Sequence, residues 1–161
     1  MSTIRLAQGA DDRALWAILE PIFRAGDTYA IPRDISRDDA LIFWSGGNHT
    51  AHILEDEGEI AATYYICANQ QGGGAHVCNC GFATSPASRG KGHARKMLAH
   101  ALETARKMGF SAMQFNFVLS SNTGALKLWA EAGFETVGTL PKAFDHPDLG
   151  LIDALVLYKF L

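Results

Sequence analysis

Long apolar runs are missing from this sequence: none approaches the roughly 20 residues that a helix needs to cross a bilayer. Charge is also sparse. Only 19% of the 161 residues are charged and the formal net charge is -3, so the summed field repels phosphate and excludes a broad nucleic-acid surface. A basic patch, if it exists, must be local. Cysteine is rare and odd in number: Cys67, Cys78 and Cys80 cannot make a closed disulfide framework. No charged-then-apolar signal segment stands at "MSTIRLAQGADD", and a reducing, cytoplasmic setting is expected. Repeats, low-complexity tracts and linker-like stretches are missing too, so residues 1–161 are expected to form one domain around its own core.

What is present alternates between two textures. "TIRLA" has the period of a strand, and Leu15, Ile18, Leu19, Ile22 and Phe23 then follow the i, i+3, i+4 rule of a helix that Pro21 should bend or shorten. Ser36 with Asp39 three residues on has the form of a capping box opening a second helix. "HTAHILEDEGEIAATYYICANQ" and "AHVCNCGFAT" read as three hairpin-linked strands. Ala94, Met97, Leu98, Ala101, Leu102 and Ala105 then mark a long amphipathic helix ending near Gly109. A strand "SAMQFNFVL", a helix capped by Ser121 or Asn122, and the strands "FETVGTL" and "LIDALVLYKFL" complete the chain. The order β-α-α-β-β-β-α-β-α-β-β predicts a layered α/β domain with a mixed sheet.

"SRGKGHARKML" concentrates glycine and positive charge at the start of the long helix. A helix start has unpaired N–H groups and a partial positive charge, which makes it a seat for an anion. A nucleotide P-loop needs Lys-Ser/Thr after its last glycine, but His93 and Ala94 follow Gly92. A dinucleotide fingerprint needs a third glycine where alanine and arginine stand in "GKGHAR".

The spacing Arg89-x-x-Gly92-x-Ala94, after a strand ending "FATSP", resembles the acyl-CoA pyrophosphate loop of the GNAT superfamily of N-acetyltransferases. "NTGALKLWAEAGF" is similar to the same family's Asn-x-x-Ala-x-x-x-Tyr-x-x-x-Gly-Phe block, with Trp129 in place of the tyrosine. The resemblance implies a mostly antiparallel seven-stranded sheet with about four helices, split between the fourth and fifth strands. It also implies acetyl-CoA as co-substrate, with no metal. Its cofactor residues would be Phe82, Ala83, Thr84, Arg89, Gly90, Lys91, Gly92, His93, Ala94, Asn122 and Trp129, with a bulge near Phe82 freeing N–H groups for the thioester.

The acceptor amine must lose a proton, and His76 is the near-neutral titrator on the fourth strand. His76, Cys78 and Cys80 share one strand face, but alternate residues stand about 6.6 Å apart and rarely converge on one metal ion. Since indole N–H does not release a proton, Tyr158, Tyr64 or a water on Asn122 would substitute for the missing tyrosine. Tyr29, Arg33, Tyr64, Asn79 and Asn116 are the expected acceptor-side residues. Of Tyr64 and Tyr65, alternation sends one to the pocket and one to the core, without saying which. "FDHPDLG" is read as a turn, with an acceptor-side or homodimer contact as the alternative. Asp153, in an apolar strand, is either hydrogen-bonded or at an exposed edge. The expected function is acetyl transfer from acetyl-CoA to the primary amine of a small, amino-acid-like molecule; a protein or peptide acceptor, or a non-catalytic acyl-CoA sensor, is the alternative.

Overall fold

A computed structural model describes all 161 residues. Seven strands form one sheet in the order β1-β2-β3-β4-β5-β7-β6: β1 Ser2–Leu6, β2 Thr50–Asp56, β3 Glu59–Ala68, β4 Val77–Thr84, β5 Ala112–Leu119, β6 Glu135–His146 and β7 Gly150–Phe160. Four α-helices cover it, α1 Asp12–Ala25, α2 Arg37–Ser45, α3 His93–Lys107 and α4 Thr123–Glu131. Every neighbouring pair is antiparallel except β4 and β5, which a crossover helix, α3, joins in parallel. The sheet and helix count agree with the arrangement that the glycine loop implied.

The helices divide by face, and the strand period of two sends alternate side chains to each. On one face α3 and α4 lay Met97, Leu98, Ala101 and Trp129 against Tyr64, Cys78, Cys80, Met113 and Phe115. On the other, α1 and α2 lay Leu15, Leu19, Phe23 and Trp44 against Ile53, Tyr65, Cys67 and Ala83. The Trp44 indole, fully buried, donates to Thr63 Oγ1 at 3.0 Å, and that hydroxyl donates onward to the His52 carbonyl at 2.7 Å. Burial of a hydrogen-bonded polar pair there fixes α2 on the sheet.

Helix ends follow the expected chemistry in two places. Ser36 Oγ accepts from the Asp39 N–H at 3.1 Å and starts α2, and of the two candidate caps for α4, it is Asn122 whose Oδ1 accepts from the Ala125 N–H. Two expectations are narrowed. Pro21 stands inside α1 on its exposed side, and the helix runs on to Ala25 before Gly26 turns left-handed. The turn of "FDHPDLG" is there but shorter, at residues 147–149, because β6 continues to His146; it closes with the Asp148 and Leu149 N–H groups on His146 Nδ1.

Candidate active site

β4 and β5 pair only at Val77–Ala112 and Cys78–Met113. One residue further, the Asn79 side-chain amide donates to the Gln114 carbonyl at 2.9 Å, and beyond it the strands part. The expected bulge on β4 is not there: its register against β3 runs unbroken from Thr84–Ala62 to Cys78–Ala68. The irregularity lies on β5, where one extra residue stands between Phe115 and Val118 relative to β7. A bulge bends its strand and raises its twist, so β5 leaves β4 rather than the reverse.

At the ends of the β3–β4 ladder, Ser85 N–H donates to Ala61 and Asn69 N–H to Val77. Antiparallel alternation therefore turns the backbone groups of residues 79, 81 and 83 to β3 and those of 80, 82 and 84 to the split. Phe82 shows this directly. Its N–H donates to Tyr29 Oη at 3.0 Å, and the same hydroxyl donates back to the Phe82 carbonyl at 2.5 Å.

The split opens into a cavity of about 400 Å³, mostly apolar, lined by β4, β5 and α4 and including Phe82, Ala83, Thr84, Ala94, Asn122 and Trp129. Ligand pockets have this size and character. A second cavity of about 440 Å³ shares Tyr29, Phe82, Thr84 and Asn122 with the first and adds Asp27, Arg89 and His146. It is the polar one, and it brings together the α1–α2 connection and the tip of the β6–β7 hairpin.

The far end of the first cavity is the start of α3. Gly90 and Gly92 are left-handed, with φ of 79° and 78°, and a Cβ at either would meet nothing within 4 Å. Gly92 is the N-cap and brings no side chain to cap the helix, and no N–H from Arg89 to Ala94 bonds to a turn or loop carbonyl. Such a turn presents several free N–H groups to an anion, with the helix dipole behind them. The exposed Arg89 and Lys91 add charge. The residues thus fit a diphosphate at the loop and an extended arm in the split.

These observations point to one kind of enzyme, and the profile of the Acetyltransferase (GNAT) family matches residues 13–134. The chain belongs to the GNAT acetyltransferase family. Among solved structures, this family member is similar over 99% of its length to 98% of a GCN5-related N-acetyltransferase from Kribbella flavida, with 34% identity and a TM-score of 0.94. yncA from Salmonella typhimurium, solved with its cofactor acetyl-CoA, shares the fold at 21% identity and a TM-score of 0.87, over 100% of this chain and 94% of that one. A curated relative, the N-acetyltransferase aca1 of Schizosaccharomyces pombe, is 33% identical over 84 residues, 52% of this chain. That match spans only 40% of the relative's length. Acetyl-CoA is the typical acetyl donor of the GNAT family.

Within the GNAT site, several expected residues stand elsewhere. His76 is exposed at the closed end of β4, below the last β4–β5 pair, and lines neither cavity. Tyr158 pairs across from Gln114 on β7 and is also outside both. Tyr64 is fully buried on the α3 face, its hydroxyl 2.8 Å from His100 Nδ1. Arg33 folds over Gly26, its Nε–H donates to the Arg24 carbonyl at 2.8 Å, and it lines neither cavity. The His93 imidazole turns inward, 3.4 Å from Asp56, so only its backbone faces the loop.

Asn79, Asn116 and Tyr29 do line the first cavity. Asn116 is held there by Asn69 and Gln114. Of the tyrosine pair it is Tyr65 that reaches the cavity, since its register partner is Gly81 and only a residue without Cβ leaves room for the ring. That small-opposite-large pairing was the available signal for Tyr65. Asp27 had none, because loop composition does not say which cavity a loop borders, whereas His146 lies in the segment whose alternative reading was an acceptor-side contact.

Proposed function

We propose that this chain moves the acetyl group of acetyl-CoA onto the primary amine of a small, amino-acid-like molecule, by direct attack with both substrates bound. The observation that carries the reading is the divergence of β4 and β5 directly after Cys78–Met113, which leads from an uncapped, glycine-lined helix start into an apolar cavity. The donor supplies an activated acyl carbon; the chain supplies its placement. N–H groups from Arg89 to Ala94 hold the diphosphate, and Phe82, Ala83 and Thr84 line the arm. The Phe82 N–H, aimed into the split, donates to the thioester oxygen as charge builds there.

The acceptor enters from the polar cavity. Its size suits a small molecule, and Asp27 offers a carboxylate to the acceptor's ammonium, with Asn122 and His146 beside it. An aliphatic ammonium titrates near 10.4 and must be neutral to attack, so its proton leaves to solvent through the polar cavity before the bond forms. Incubation with acetyl-CoA and a pool of amines, following free thiol, tests the proposal. Amine-dependent thiol release is expected. Binding of CoA with no release overturns transfer and leaves the second reading, an acyl-CoA sensor, which Trp129 at the tyrosine position favours.

A further inference from the structure

The second motif of this chain has an indole where a phenol is expected, and four tyrosines remain to supply one. Tyr64 is sealed under α3 and Tyr158 lies outside both cavities. Tyr65 lines the first cavity only, over Gly81, and makes no hydrogen bond within the protein. Tyr29 is different in three respects: it lines both cavities, its hydroxyl sits on the backbone that faces the split, and its ring packs edge-on against two aromatic side chains. The ring stands edge-on to Phe23 at 5.8 Å and to Trp44 at 5.9 Å, and Trp44 is itself pinned to Thr63.

The position of the hydroxyl is informative. An oxygen 3.0 Å from Phe82 N, on the side of the split, occupies the place that any carbonyl oxygen accepting from that N–H must take. The phenol of the free protein therefore marks the thioester oxygen's seat. A thioester oxygen in that seat requires the Tyr29 ring to tilt between Phe23 and Trp44, and a tilt of that kind leaves the hydroxyl beside the newcomer.

We propose that Tyr29 is a catalytic residue, the second hydrogen-bond donor beside the Phe82 N–H to the thioester oxygen. The inference rests on the transfer reading above. In the step it serves, the amine nitrogen bonds the acyl carbon, the C–S bond breaks with its electron pair going to sulfur, and the amine proton leaves to water, which can return one to the thiolate. Tyr29 donates a hydrogen bond throughout and transfers nothing. Burial, by disfavouring phenolate, keeps its proton in place across the working pH range.

Tyr29→Phe separates this role from packing, because it keeps the ring and removes both the donor and the oxygen that competes with the ligand. Expected are a kcat about 100- to 1,000-fold lower and a Kd for CoA, by calorimetry, unchanged or tighter. A kcat within twofold of the unaltered protein, or an equal loss in Tyr65→Phe, overturns the proposal. If Tyr29→Phe does not fold, 3-fluorotyrosine at position 29 keeps the ring and changes only hydroxyl acidity: kcat should change with KM constant, and an unchanged kcat overturns the proposal. An unaltered protein that binds CoA but releases no thiol with any amine sinks transfer itself, and this role with it, a result distinct from normal turnover by Tyr29→Phe.

Discussion

The Asn79 side-chain amide and the Gln114 carbonyl, 2.9 Å apart, form the last bridge between β4 and β5 before the sheet opens. Main chain closes the sheet below this point, and above it nothing does. Asn79→Ala leaves the part-buried Gln114 carbonyl without its donor, a loss of about 1–3 kcal/mol. Urea unfolding should show a lower midpoint with unchanged slope, and an unchanged midpoint would argue that water replaces the bridge fully.

Gly92→Asp should weaken CoA binding more than tenfold in calorimetry. It puts a carboxylate where the diphosphate is expected and a side chain at φ 78°, which L-residues adopt at a penalty of about 1–2 kcal/mol. Gly92→Ala isolates the backbone part, since its Cβ meets nothing within 4 Å; it should lower stability while weakening binding far less than the aspartate does.

Gly81→Ala would place a methyl 2.3 Å from Tyr65 Cε1. The ring is almost fully buried and stacks on His49 at 4.1 Å, so it cannot yield freely, and overpacking of this kind costs about 1–3 kcal/mol. The melting temperature should fall, and the Tyr65→Ala background should remove the effect of Gly81→Ala. Equal losses in both backgrounds would show that the clash is not with Tyr65.

His52 is buried, with its ring parallel to Tyr64 at 4.7 Å, and burial, followed by the nearby His100, lowers its pKa from 6.5 to about 4. The unfolded chain therefore takes up a proton at higher pH than the folded one. Stability is fully present above about 6.5 and drains away as pH falls from there toward 4. His52→Phe should flatten the dependence of the urea midpoint across that window; a slope as steep as before would place the acid sensitivity elsewhere.

Much of this was readable along the chain because it depends on local rules. Ser36 and Asn122 cap because a short side-chain oxygen reaches a nearby N–H in the first helical turn. Gly90 and Gly92 stand where φ is positive, and the face of α1 follows from its period. Asp153 was open until the strands were paired. Its Oδ1 accepts at 2.9 Å from the N–H of Lys142, whose own φ is 52° at the β6 irregularity, so it is a partner 11 residues away that makes a charge tolerable in β7.

Sequence alone determined the order of elements, the uncapped, glycine-lined start of α3 and the family block that ends in Gly133 and Phe134, since each is a matter of neighbours within a few residues. Tertiary structure alone decided which tyrosine meets the cavity, that Arg33 turns its Nε–H to the Arg24 carbonyl, and that His76 lies at the closed end of β4. The reason is physical: a period of two or 3.6 sorts side chains into faces, but which face becomes a pocket depends on where distant strands stop pairing and on which helix covers them.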